Sequence, residues 1–158
     1  MTVQQPDRVL YKRRKCELVV ADGEGLFDPE QLDSELRAPH TACWSGYLAT
    51  YVVKYGDLLL RDLECWIDPD SPPPSIVGHF PVVANEWGEL AYRKLELPMP
   101  YTGRLVLGGG EILGSFGYGP DLSIYELVHE LRFDEGRLVE AIDRSGEFAA
   151  IAEALDSQ

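Results

Sequence analysis

The run from Gly46 to Trp66, GYLATYVVKYGDLLLRDLECW, decides the fold class. Two strand-length stretches, Gly46 to Lys54 and Leu58 to Trp66, are crowded with aromatic, leucine and β-branched residues. Tyr55-Gly56-Asp57 separates them with a glycine able to take positive φ. This pattern predicts a β-hairpin. In the first arm Tyr47, Ala49, Tyr51 and Val53 share one face, and Leu48, Thr50, Val52 and Lys54 share the other. Neither face is strongly polar, so the arm is expected inside a sheet with both faces covered.

Working outward, Leu127, His129, Leu131 and Phe133 alternate with Glu126, Val128, Glu130 and Arg132. Asp134-Glu135-Gly136 then turns the chain into Arg137 to Ile142, which predicts a second hairpin with one wet face. Val9 to Lys12 and Cys16 to Val20, around Arg13-Arg14, read as another. Tyr92 to Leu97 and Gly103 to Leu107 add short strands on either side of Pro98 and Pro100, residues excluded from a central ladder. At the C-terminus Ser145 resembles an N-cap, and Phe148, Ile151, Ala152 and Leu155 fall on one helical stripe. A weaker helical turn is expected within Pro29 to Leu36, and the proline cluster from Asp68 to Pro74 reads as a stiff connector. The expected class is α+β: a mainly antiparallel sheet, as a sandwich or partly open barrel, with a C-terminal helix.

A chain of 158 residues buries about 70% of its open-chain surface on folding, enough for one core. Residues 1–158 are therefore read as a single domain, with 1–7 disordered. No run approaches the roughly 18 consecutive apolar residues of a membrane span, and Met1 to Pro6 is polar, so a cytoplasmic setting is expected. Three cysteines, Cys16, Cys43 and Cys65, lack the dense spacing of a disulfide scaffold and read as buried thiols.

Motifs that carry chemistry are thin. Glycines crowd Gly103 to Gly119, but no phosphate-cradling pattern is present, and the glycines read as turns, bulges or close strand approaches. His40, His79 and His129 are far apart and no Cys-x-x-Cys occurs, so neither metal nor cofactor is expected. Cys43 with His40 is the best nucleophile and base pair on paper, without a group to orient the base. No catalytic residue is assigned.

The segments Trp44-Ser45-Gly46-Tyr47-Leu48-Ala49-Thr50-Tyr51, Gly56-Asp57-Leu58-Leu59-Leu60, Tyr101-Thr102-Gly103-Arg104-Leu105 and Gly117-Tyr118-Gly119 form a set. The set resembles an uncharacterised family of small bacterial β-rich proteins with a W-x-G-Y-x-[AG]-x-[WY] strand. The resemblance spans Thr41 to Ile142, implies a β-rich scaffold and carries no reaction or site.

Charge supplies the functional reading. The formal net charge is −13, and the basic residues concentrate early, at Arg8, Lys12, Arg13, Arg14 and Lys15. Direct nucleic-acid binding is thereby disfavoured, since it depends on broad clusters of cations. Asp22, Glu24, Asp28, Glu30, Asp33 and Glu35 form an acidic stretch without a base. These six are the candidate partner-binding residues of an acidic interaction module, similar in manner to an immunity protein, that neutralises or regulates a basic protein such as a toxin or nuclease. The alternative is a small-ligand pocket, enzymatic or not, lined by Tyr47, Tyr51, Trp66, Tyr118 and Tyr125.

Overall fold

The computed structural model describes residues 6–32, 35–38, 46–115 and 123–145. Within them run the strands β1 (Arg8–Tyr11), β2 (Arg14–Glu24), β3 (Tyr47–Lys54), β4 (Asp57–Trp66), β5 (Val82–Val83), β6 (Glu89–Tyr92), β7 (Leu97–Pro98), β8 (Thr102–Ser115), β9 (Ser123–Asp134) and β10 (Arg137–Asp143). The sheet order is β10-β9-β8-β2-β1-β3-β4-β6-β5. All neighbours are antiparallel except β1 and β3, which run parallel through Arg8↔Thr50 to Leu10↔Val52, so the sheet is mixed rather than wholly antiparallel. β2, antiparallel to β1, carries the chain back, so that β3 can start at the same end of the sheet as β1 and run parallel to it.

The decisive hairpin forms as β3 and β4, with Tyr55 and Gly56 both at positive φ, the geometry of a two-residue turn, and Asp57 already in the ladder. Between Thr50 and Tyr51 the register shifts, so Thr50 faces Asp62 while Tyr51 faces Leu60. Arg61 is the extra residue. The bulge re-phases β4: Leu58 and Leu60 point into the core before it, Leu63 and Cys65 after it. β3 lies between β1 and β4, yet only its Ala49 and Tyr51 are fully buried, and Leu48, Thr50 and Val52 are half-exposed.

The outer edge of β4 is shared by β10 at Asp57, β7 at Leu59 and Leu60, and β6 over residues 63–66. β10 touches β4 through one pair, Arg137↔Asp57, with backbone bonds from Leu58 N–H to Gly136 O (2.8 Å) and Leu138 N–H to Gly56 O (2.7 Å). The sheet is thus folded over and pinched at a corner, sandwich-like rather than a closed barrel. One core lies between its layers, with Tyr51, Leu60, Leu63 and Tyr92 on one side and Leu105, Leu107, Leu131 and Phe133 on the other. No helix among the described residues is long and apolar enough to cross a membrane.

Several local expectations change. The first turn is Lys12-Arg13, both at positive φ, one residue earlier than the sequence suggests. The expected strand Tyr92 to Leu97 is broken after Tyr92 by Lys94 and Glu96 at positive φ, and Pro98 sits in the short β7. Among the described residues of Pro29 to Leu36, the helical turn expected there is a short 3-10 turn, Pro29–Gln31, capped by Asp28. The face of β9 expected to be wet is covered at Val128 and Glu130. The glycine-rich stretch enters the single long β8, and its ladder with β9 shifts register between Gly109 and Ile112 and again before Gly114. The C-terminal helix expected from Ser145 lies, beyond that residue, outside the described residues. So do Met1 to Gln5, while Asp7 is held by hydrogen bonds to Ala49 and Leu18.

Candidate functional site

The acidic stretch starts within β2. Asp22 and Glu24 stand exposed in a ladder with β8, opposite Arg104 and Thr102. Beyond Gly25 the chain is anchored by Phe27 and Leu32, each buried, and each such burial stabilises by roughly 2 kcal/mol. The Phe27 ring meets Tyr47 edge-on at 5.2 Å, and its backbone N–H donates to the Tyr51 hydroxyl at 3.1 Å. Asp28 accepts from Glu30 N–H at 2.9 Å, closing the turn that carries Glu30. Leu36 bridges to Ile67, and Arg37 N–H donates to Trp66 O at 2.7 Å. Among the described residues of this segment, apolar side chains face inward and acids outward, an acidic rim pinned at Phe27, Leu32 and Leu36.

Asp22, Glu24, Asp28, Glu30 and Glu35 are all exposed. Asp22 lies 4.0 Å from Arg104. Glu24, Glu30 and Glu35 enter no ion pair among the described residues. Asp33 lies outside the described residues. The fold adds two acids that sequence spacing did not connect to this group, Asp134 and Glu135. Glu135 N–H donates to Thr102 Oγ1 at 3.0 Å, and Thr102 faces Glu24, so the β9–β10 turn stands beside the end of β2. The turn itself was readable; its neighbour across β8 was not. Next to Asp22, a shallow depression of about 430 Å³ opens among Thr102, Arg104, Arg132, Phe133 and Val139.

The aromatic candidates are placed differently. Tyr51 is buried, and burial first, then the charge of Asp7, pushes its hydroxyl above the ordinary tyrosine range. Tyr125 is buried against the glycine face of β8 and donates its hydroxyl to Glu17 Oε2 at 2.7 Å. Tyr47 and Trp66 are half-buried, on β3 and at the end of β4. Tyr47 and Tyr51 sit near one another; Tyr125 belongs to β9, across the sheet. Tyr118, like Cys43 and His40, lies outside the described residues.

Three other groups bear on chemistry. Asp7 accepts from Ala49 N–H at 2.9 Å, yet burial raises its carboxyl to about 6. Glu130 is buried and receives Arg144 Nε at 2.7 Å and Arg104 Nη1 at 3.1 Å. Those two hydrogen bonds, Arg144 first, hold it below the usual carboxylate range. Cys16 and Cys65 are buried free thiols, and burial pushes Cys65 up to about 12, which makes it a poor nucleophile at neutral pH. Among the described residues, no three His, Cys, Asp or Glu side chains gather as a metal set would.

No family model, no curated protein and no solved structure matches this chain.

Proposed function

We propose that the protein is an acidic interaction module that binds a cationic protein and neutralises or regulates it, in the manner of an immunity protein. The observation that carries this reading is the pinned rim itself. Phe27, Leu32 and Leu36 are spent on the fold, while Glu24, Glu30 and Glu35 stand in solvent without ionic partners among the described residues. Surface ion pairs inside the protein would neutralise such charges; here they remain available to an approaching cation. A fixed array also loses little freedom on binding, so its charge speeds association and favours a basic partner over an acidic one. The tyrosines lend less to a ligand-pocket reading, because Tyr51 and Tyr125 use their hydroxyls on Phe27 and Glu17.

The test is capture from the native host with the wild-type chain and with a variant carrying Glu24→Lys, Glu30→Lys and Glu35→Lys. All three positions are exposed, so the variant keeps its core. Wild type should retain a basic protein that the variant loses. Equal retention by both, or no retention by either, would overturn the reading.

A further inference from the structure

The β5–β6 hairpin ends the sheet, and its outer strand is bare on both faces. Val82 is 65% exposed and Val83 59%, although adjacent strand residues point to opposite sides. Val77, Phe80 and Trp87, at 78%, 79% and 74%, continue the apolar display before and after it. Large apolar side chains left this exposed along a sheet edge are a feature of contact sites. Val77 also holds φ at +46°, a left-handed conformation strained for a β-branched residue, at the tip of the turn closed by Ile76 and His79.

The ladder shows which backbone groups are on offer. Ala84 N–H donates to Glu89 O at 2.9 Å and Val82 pairs with Ala91, so the N–H and C=O of Val83 point away from β6. Among the described residues no strand lies beyond them. On the face of Val83 and Leu90, a depression of about 290 Å³ opens toward the chain that follows β4, with Pro69, Pro73, Asp68 and Glu86 also in its wall. Asp68 is engaged by Arg37 at 3.1 Å, whereas Glu86 has no ion pair among the described residues. A wall that combines Ile67, Val83, Leu90 and two prolines with polar Ser71 and Asn85 and the unpaired Glu86 suits the aliphatic stem and cationic head of a lysine or arginine.

We infer that β5 is a docking edge for an extended cationic segment of the partner protein, which pairs with Val83, places a Lys or Arg side chain beside Glu86 and rests apolar residues on Val82, Phe80 and Trp87. The inference rests on the acidic-module reading and says where the partner's chain lies. A strand laid along β5 brings the side chain opposite Val83 over the depression. Leu36 and Arg37 fasten the end of the acidic stretch to Ile67 and Trp66, and Ile67 also lines the depression. A second copy of the chain fits less well. Its charge of −13 repels its twin.

The test titrates the isotope-labelled full chain with a short soluble peptide of alternating lysine and valine, and with its glutamate-valine counterpart. Saturable binding of the lysine peptide alone is expected, with the largest amide shifts at Val82, Val83, Ala84 and Trp87. Val83→Glu and Glu86→Lys should each weaken it by about tenfold or more. Glu86 is exposed, so its reversal keeps the test decisive should Val83→Glu fail to fold. Binding untouched by Glu86→Lys, equal binding of the glutamate peptide, or a dimer formed through β5 would overturn the inference. Shifts confined to residues 22–35 would overturn the β5 site while leaving the acidic module standing; no shift anywhere would count against both.

Discussion

At Tyr51 one hydroxyl joins the core to the acidic rim, accepting the buried N–H of Phe27 across 24 positions of sequence. Tyr51→Phe keeps the ring and strands that donor. The expected cost is about 1–3 kcal/mol in urea unfolding, with faster hydrogen exchange at the Phe27 amide. An unchanged Phe27 amide would show that the hydroxyl does not hold the segment. Nearby, Asp7 makes stability depend on pH in an unusual sense for a carboxylate. Its folded value is raised to about 6 from an ordinary 3.8, so the native state holds a proton that the unfolded chain has released between those values. Stability from this group is full below the lower value and is lost as pH rises through the upper one, a change on the order of 2–3 kcal/mol. Asp7→Asn keeps an acceptor for Ala49 and should flatten that slope, making the protein more stable at neutral pH; a slope that persists in the variant would assign it elsewhere. Sequence made Tyr51 conspicuous as an aromatic in a strand. It could not show its partner, because nothing local in Phe27 encodes a contact so far along the chain.

Among the elements, β4 and β8 show how much a strand pattern reveals. The β3–β4 hairpin was legible because its turn and β-branched density are local. Its inward face was not, since the extra residue Arg61 separates Leu58 and Leu60 from Leu63 and Cys65 and spoils simple alternation. In β8 the glycines were legible as close approaches. Gly108 makes the point: a Cβ there would come within 2.5 Å of the Tyr125 ring. Gly108→Ala must push that ring away and disturb its hydroxyl's bond to Glu17. The expected loss is about 1–3 kcal/mol, visible in thermal unfolding. A neutral substitution would mean that the β8–β9 ladder yields more readily than its packing suggests. The parallel β1–β3 pair was not legible, since each strand alone reads the same in either direction. Glu130 escaped for a related reason. Alternation assigned it to solvent, but Arg104 and Arg144 close over it from β8 and from the end of β10.

At the scale of the whole molecule, one long strand joins a basic turn to the acidic residues. β2 begins beside the Lys12-Arg13 turn and ends at Asp22 and Glu24, which separates a basic end from an acidic one by roughly 33 Å. The imbalance was legible from composition, and the acidic stretch from its run of residues. The gathering of Asp134 and Glu135 beside Glu24 depends on the β2–β8 and β8–β9 registers, which no single segment specifies. For a cationic partner, long-range attraction governs how fast it arrives, and close contacts at the rim and β5 govern how long it stays. The most direct test is therefore the association rate of the captured partner with the wild-type chain, followed from about 50 to about 500 mM salt. A fall of about tenfold or more is expected, with the dissociation rate changing far less. An association rate that stays level across that range would show that the acidic residues do not steer the encounter, and the acidic-module reading would fall.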